Sequence, residues 1–447
     1  MPLTSLPVLI AFALASAAAD APRPAAATGA AASAASAASA ASAASAASAP
    51  AEVRTPAPPA AAPATIRDAS FVACLQRLRP QAIAAGIRGE VFDRHTATLG
   101  ADPTVLQSLD SQPEFKTPIW DYLAGLVDDE RVADGRARLA EHADTLAAVE
   151  HRYGVDRHTV VAVWGVESDY GRTFGKKPLL QSLATLSCAG RRQSFFRGEL
   201  LATLKLLQSG DLAGDGLVGS WAGAFGHTQF MPSTYARIAV DGDGDGRRDL
   251  VASIPDALAS TANYLAKSGW RTGQPWGFEV RAPASVAASG RTGKRPLSAW
   301  KAQGVQRVDG GPLGDGATLA GLIRPAGPGG PAFLVLKNYD AIYSYNAAES
   351  YALAIAHLSD RLRGGDAFAV PWPTDDPGLS RAERKELQTI LLARGHDIGE
   401  ADGLIGTKTR QAIAAEQRRL GRDPDGRAGR WILDRLKSEG ATTDQSR

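Results

Sequence analysis

The sequence predicts a mainly α-helical protein in two folded parts, and three observations carry that reading. From near Ile66 apolar residues recur at three- and four-residue spacing, as in Phe71-Val72-Cys74-Leu75-Leu78 and from Val132 to Tyr153, the pattern of helices that bury one face. Strand signals are weak and confined to a Gly- and Pro-rich stretch from Phe278 to Leu334, which predicts a small irregular or β lobe. A short helical module then follows a break punctuated by Pro371, Pro373 and Pro377. The 447 residues allow two or three domains and a sizeable core. The balance of 49 Lys and Arg against 47 Asp and Glu leaves a formal charge of +2, too small to argue for nucleic acid. No Walker-type loop or basic stripe interleaved with aromatics accompanies it.

In chain order, residues 1–20 read as a cleaved secretion signal. The run from Leu6 to Ala15 is apolar but too short to span a bilayer, and small residues follow at Ala17-Ala18-Ala19. It departs from the usual pattern in having no Lys or Arg before the apolar run. With no Cys near the cleavage region, a lipid anchor is not expected, so the protein should be exported in soluble form to the periplasm without a stable membrane anchor. Residues 21–65, almost all Ala, Ser and Pro, lack the side chains to build a core and read as a disordered tether. Export makes Cys74 and Cys188 candidates for a disulfide, the alternative being two buried free thiols.

The main domain spans 66–363. Its most informative segment is Val160-Val161-Ala162-Val163-Trp164-Gly165-Val166, apolar on nearly every face and closed by Glu167. Such a run reads as a helix buried inside a domain, with Asp156 to cap its start and Gly171 to end it. Burial and the negative end of the helix dipole both disfavour a charged Glu167, so its pKa should be raised, as suits a general acid. The plainer alternative is a structural Glu paired with Arg172 or Arg191. A second block, Gly219-Ser220-Trp221-Ala222-Gly223-Ala224-Phe225-Gly226-His227-Thr228-Gln229-Phe230-Met231-Pro232-Ser233-Thr234-Tyr235, sets glycines among polar and aromatic residues. Glycines admit a ligand close to the backbone, Gln229 offers a donor and an acceptor, and Pro232 should open a helix. Taken alone, the block is equally a tight loop between helices. A last helix should run through Ser350 to Leu358, before a linker over 364–378 and a module over 379–437.

Together, Glu167, the Gln229-Phe230-Met231-Pro232-Ser233 block, Ala262-Asn263-Tyr264-Leu265, and Tyr345-Asn346 followed by Tyr351 resemble the lytic murein transglycosylases of the B family (glycoside hydrolase family 103) from about Phe71 to Leu362. The resemblance implies a lysozyme-like helical catalytic domain. It also implies non-hydrolytic cleavage of the β-1,4 bond between N-acetylmuramic acid and N-acetylglucosamine in peptidoglycan, leaving 1,6-anhydromuramoyl ends. Glu167 would be acid first and base second, with no catalytic cofactor. Ser220, Gln229, Phe230, Tyr264, Tyr345, Asn346 and Tyr351 would line the groove. Ordinary glycosidases need two carboxylates flanking the bond, and Asp169, two residues on, points to another face of a helix. Two rivals remain: a hydrolytic muramidase, and a non-catalytic wall-binding scaffold. Glycan strands of peptidoglycan are the expected partner, with cell-wall synthases or other hydrolases as further candidates.

Asp241, Asp243, Asp245 and Asp249 fall at the first, third, fifth and ninth positions of a calcium-loop pattern, with Gly246 at the sixth. Ala252 stands where a bidentate Glu is usual, and some members of the family have a longer loop whose last carboxylate comes later, a part that Asp256 can take. Arg247 would contribute its backbone carbonyl. The site would be structural; the alternative is a hydrated acidic turn. Finally, Leu387-Gln388, Leu391-Leu392, Gly395, and Asp402-Gly403-Leu404-Ile405-Gly406-Thr407-Lys408-Thr409, with the turn repeated at Asp425-Gly426, resemble the type 1 peptidoglycan-binding domain, a three-helix bundle. Glu416 replaces the aromatic that usually precedes Gln417.

Overall fold

The computed structural model describes residues 65–109, 117–213 and 216–444. The expected signal segment and the tether up to Ala64 lie outside them.

Short helices open the domain. They are α1 (Ala69–Ala84), α2 (Gly89–Thr96), α3 (Pro103–Ser108), α4 (Ile119–Leu126), α5 (Asp129–Glu141) and α6 (Ala143–Tyr153). Asp68 and Asp128 cap α1 and α5 by accepting from the amides of Phe71 and Arg131, each at 2.8 Å. The periodic run from Val132 to Tyr153 is therefore two helices, broken at His142, whose ring lies 5.6 Å from that of Trp164.

Helix α7 (Arg157–Ser168) starts on Asp156, which accepts from the Thr159 amide at 3.0 Å. Every residue from Thr159 to Ser168 is buried, because α5, α6, α11 (Ile254–Lys267) and α14 (Glu349–Leu362) pack around it. Each of its buried valines contributes about 1.5–3 kcal/mol by leaving water. The helix stops three residues short of Gly171, because Asp169 (φ +53°) and Tyr170 (φ +56°) both turn left-handed. Between α7 and α11 come β1 (Lys177–Pro178), α8 (Leu179–Cys188), α9 (Gln193–Ser209), β2 (Val218–Gly219), antiparallel to β1, and α10 (Pro232–Ile238), which opens on Pro232 as expected. Cys74 of α1 and Cys188 at the end of α8 are joined by a disulfide across 114 residues of sequence, with Cα atoms 5.8 Å apart.

The lobe between α11 and α13 (Lys337–Asn346) is more regular than its sequence. It contains β3 (Gly277–Arg281), β4 (Arg295–Pro296), α12 (Leu297–Ala302), β5 (Gln306–Arg307), β6 (Leu319–Ile323) and β7 (Ala332–Val335). The strands form one antiparallel sheet in the order β4-β6-β7-β3-β5. All of β7 and nearly all of β3 and β6 are buried, so these strands carry no polar alternation to betray them. Trp300 fills the lobe's core and donates to the Ala320 carbonyl at 2.8 Å.

The C-terminal bundle comprises α15 (Arg381–Ala393), α16 (Thr407–Arg419) and α17 (Arg430–Asp444), packed through Leu387, Leu391, Ile413 and Leu433. Ser380 and Glu383 form a capping box at the start of α15. Glu416, where an aromatic was expected, is buried but bonded to His396 (2.8 Å) and Arg419 (2.7 Å), so ion pairing replaces ring packing. Residues 364–378 lie packed between the modules. The amides of Ala369 and Val370 donate to Glu279 at 2.8 Å each, and Phe368 stacks on His357 at 3.8 Å. Arg427 of the bundle reaches back to Asp121 of α4 through two bonds of 2.6 and 2.7 Å.

Candidate functional site

The site lies at the seam of two apolar cores, one built around α7 and α14 and the other around α1, α8 and α9; Tyr264 and Tyr345 pack against both. Glu167, in the last turn of α7, is 3% exposed and accepts a hydrogen bond from the Tyr351 hydroxyl at the start of α14. Burial first, and then the charge of Glu167, push the Tyr351 phenol well up, so it stays a donor. Tyr345 donates from the end of α13 to the Thr228 carbonyl at 2.7 Å, and Tyr264 from α11 to the Ser344 carbonyl at 2.7 Å. The rings of Phe230, Tyr264, Tyr345 and Tyr351 form a continuous set with centroid spacings from 4.8 to 6.3 Å.

The loop that carries Phe230 is held by its own polar groups. Ser220 Oγ accepts from the amides of Ala222 (3.2 Å) and Ala224 (3.1 Å). Gln229 occupies the left-handed region at φ +50°, and its Nε2 donates to the Gly226 carbonyl at 2.8 Å. Its amide therefore braces the turn, and strain in a non-glycine residue at such a point is a common mark of a functional loop. Gly226, at φ +76°, tolerates no side chain, since a Cβ there would meet the Leu250 carbonyl at 2.5 Å. Asn346 is 2% exposed, and among the described residues neither its side-chain nitrogen nor its oxygen finds a protein partner; the same holds for the buried Thr228 hydroxyl. Unsatisfied buried groups of this kind are costly unless a ligand completes them.

His227 is not among the residues expected to line the groove, yet it ties the loop in place. Its Nδ1 accepts from the Trp164 indole at 3.1 Å and its carbonyl accepts from Ser168 at 2.5 Å, tying the loop to both sides of Glu167. Burial, reinforced by His142, pushes its imidazole down to about 4, so it is a neutral acceptor in the fold. The only hint of this in the sequence was its place inside the Gly-rich block. Asp169 is not part of the tyrosine set; it accepts from Arg381 at 2.7 Å and ion-pairs with Arg131 (3.3 Å) and Arg172 (3.6 Å). Arg172 also pairs with Asp134.

A separate cluster is formed by Asp241, Asp243 and Asp256, each offering an oxygen within 4.8 Å of the others. Burial raises the Asp256 carboxyl, and the charges of Asp243 and Asp241 add to this against two backbone amides that bond it. Asp245 lies outside that trio and turns to the Arg247 amide at 2.7 Å; Asp249 binds the amides of Val251 and Ala252. Ala252 supplies no carboxylate at the twelfth position, and Asp256, four residues later, converges with Asp241 and Asp243 instead. Three hard oxygen donors in mutual repulsion are chemically suited to a calcium ion.

Residues 70–360 match the family model described as the transglycosylase SLT domain. The chain belongs to the lytic transglycosylase family. Residues 380–436 match a peptidoglycan binding domain. Among solved lytic transglycosylases, SltB3 from Pseudomonas aeruginosa, in complex with NAG-anhNAM-pentapeptide, is 50% identical with a TM-score of 0.66, over 83% of this chain and 100% of that one. Slt35 from Escherichia coli, solved in complex with calcium, is 29% identical with a TM-score of 0.58, over 66% of this chain and 93% of that one. Membrane-bound lytic murein transglycosylase B of Escherichia coli strain K12 is 33% identical over 238 residues, which is 53% of this chain and 65% of that protein, a little under two thirds of its length. Among the described residues no helix is long and apolar enough to cross a membrane.

Proposed function

We propose that this lytic transglycosylase cleaves the β-1,4 bond between N-acetylmuramic acid and N-acetylglucosamine in peptidoglycan without adding water. The observation that carries the proposal is the buried Glu167 carboxyl held by Tyr351 at one end of a run of aromatic rings. Glu167 protonates the leaving glycosidic oxygen. The muramoyl 6-hydroxyl then attacks the anomeric carbon and gives its proton back to the carboxylate, closing the 1,6-anhydro ring. One residue serves as acid and then base, so no second flanking carboxylate is needed, in contrast to hydrolysis. Tyr351 sets the rotation of the carboxyl. Tyr264, Tyr345 and Phe230 present ring faces to the sugar, and Asn346 supplies a buried donor and acceptor to an acetamido group. Ser220 and Gln229 hold the loop that closes the groove. The complex of the related SltB3 with NAG-anhNAM-pentapeptide supports this outcome over a muramidase.

Asp241, Asp243 and Asp256 would hold a structural calcium, a reading supported by the calcium complex of the related Slt35. Calcium there would tie the loop to the start of α11 and supply no chemistry to the reaction. The C-terminal bundle would bind wall, and the apolar segment from Leu6 to Ala15 would direct export to the periplasm, where cell-wall synthases or other hydrolases are the natural company. The test is mass spectrometry of products from sacculi treated with the wild type and with Glu167→Gln. Anhydromuramoyl ends from the first and none from the second are expected. Reducing muramic ends would instead establish a hydrolase, and sacculus binding with no release would establish a scaffold.

A further inference from the structure

The helix that carries Glu167 ends on charges supplied by two different modules. Asp169, the left-handed cap two residues beyond Glu167, accepts from Arg381 Nη2 at 2.7 Å and lies 3.3 Å from Arg131 Nη1. Arg131, from α5, also donates to the Gly165 carbonyl in the last turn of α7. Arg381 belongs to the C-terminal bundle: it is the first residue of α15 and is 8% exposed. Its own amide donates at 3.2 Å to Asp128, the residue that caps α5 by accepting from the Arg131 amide at 2.8 Å. Glu130 lies 3.5 Å from Arg381 Nη1. The next residue along, Tyr170, is buried and donates to the Arg131 carbonyl at 2.9 Å.

These contacts have a physical consequence. Cations at a helix C-terminus meet the negative end of its dipole, and a buried carboxylate–guanidinium pair that loses one partner leaves the other charge stranded. The end of α7 is therefore held where α5 and α15 together put it. We propose that Arg381 is a positioning residue for catalysis: the C-terminal module, besides any affinity for wall, fixes the end of α7 and through it the placement of Glu167. This rests on Glu167 being the reacting acid.

The test uses the full chain and a soluble muropeptide, so that wall affinity does not enter. The variants are Arg381→Ala, Arg381→Lys, Asp169→Asn and the Arg381→Ala/Asp169→Asn double, with kcat and KM measured separately and thermal melts confirming a folded state. Arg381→Ala and Asp169→Asn are each expected to lower kcat by about ten- to a hundredfold, the size of effect that sub-ångström to ångström misplacement produces, with KM within about twofold of wild type. The double should be no worse than Asp169→Asn alone, since that change already removes the Arg381 link together with those to Arg131 and Arg172. Arg381→Lys should recover part of the loss, keeping the charge but not the fork. If Arg381→Ala does not fold, the Lys and Asn variants carry the comparison. Unchanged kcat, a loss in KM alone, or additive losses in the double would overturn the inference while leaving Glu167 as the acid. An inactive wild type or a fully active Glu167→Gln would overturn the catalytic reading, and the inference with it.

Discussion

Glu167 sits in a helix whose other residues from Thr159 to Ser168 are buried, and the Tyr351 hydroxyl donates to its carboxyl. Replacing Tyr351 by Phe keeps the ring and removes that bond. A hydrogen bond to a charged group is worth about 1.5–3 kcal/mol, so kcat should fall about ten- to a hundredfold where the bond is needed in the transition state, with a modest fall in melting temperature because the free enzyme loses the same bond. Turnover of a soluble muropeptide checks this, and a Tyr351→Phe enzyme within twofold of wild type would remove Tyr351 from the mechanism. Asn346 offers a complementary case: no described residue bonds its buried amide, so Asn346→Ala should weaken substrate binding without destabilising the fold, read as a rise in KM at unchanged melting temperature.

At the scale of elements, the loop from Val240 to Ser253 is tied to α11 by Asp256, which accepts from the Gly242 and Asp249 amides at 2.7 and 2.6 Å. If calcium neutralises the trio of carboxylates, adding it to chelator-treated protein should raise the melting temperature by a few degrees at a hundredfold excess over Kd, corresponding to about 2.7 kcal/mol. Asp243→Asn should abolish that rise; an identical rise in the variant would mean that calcium acts elsewhere. The disulfide between α1 and α8 closes 114 residues of chain. A constraint over a loop of that length stabilises by roughly 2–4 kcal/mol, so Cys74→Ser/Cys188→Ser should unfold at markedly lower urea concentration than the oxidised wild type.

At the scale of the whole molecule, two buried histidines contribute to the pH response. Burial and His142 push His227 down to about 4, and burial with Arg361 pushes His357 down to about 3. The unfolded chain takes up these protons near the ordinary histidine value of about 6.5. Below that value the unfolded state binds more protons than the native one, so stability is lost as pH falls from about 6.5 to 4 for His227, and on to 3 for His357. Asp156 acts in the same direction at still lower pH. Burial opposes its charge, but His158 and Arg363 outweigh this and hold its carboxyl low, so its contribution is lost as acid protonates it. Each histidine accounts for a few kcal/mol. The imidazole signals of both histidines should stay neutral down to about pH 5, and titration near 6.5 would show that these rings are not buried as described; the overall urea profile also carries Glu199, Glu349 and Asp360, whose carboxyls burial raises and which oppose the histidines as pH falls.

What the sequence alone determined were features whose signals are local. The apolar run ending at Glu167, its Asp156 cap, the helix opened by Pro232, the acidic loop and the three helices of the bundle are all set by spacings of a few residues and by turn chemistry, and all are found where those patterns put them. Only the tertiary structure decided what lies between distant parts of the chain. Tyr351 meets Glu167 across 184 residues and Arg381 meets Asp169 across 212. The helix end moved from Gly171 to Asp169, where Arg381 and Arg131 meet its carboxylate, and of the irregular or β lobe expected, the β form is the one present, a five-stranded sheet whose central strands are too buried to alternate. Glu416 kept its place in a core by pairing with His396 and Arg419. In each case the deciding free energy belongs to a contact or a desolvation contributed by another element, and no local period encodes which element that is.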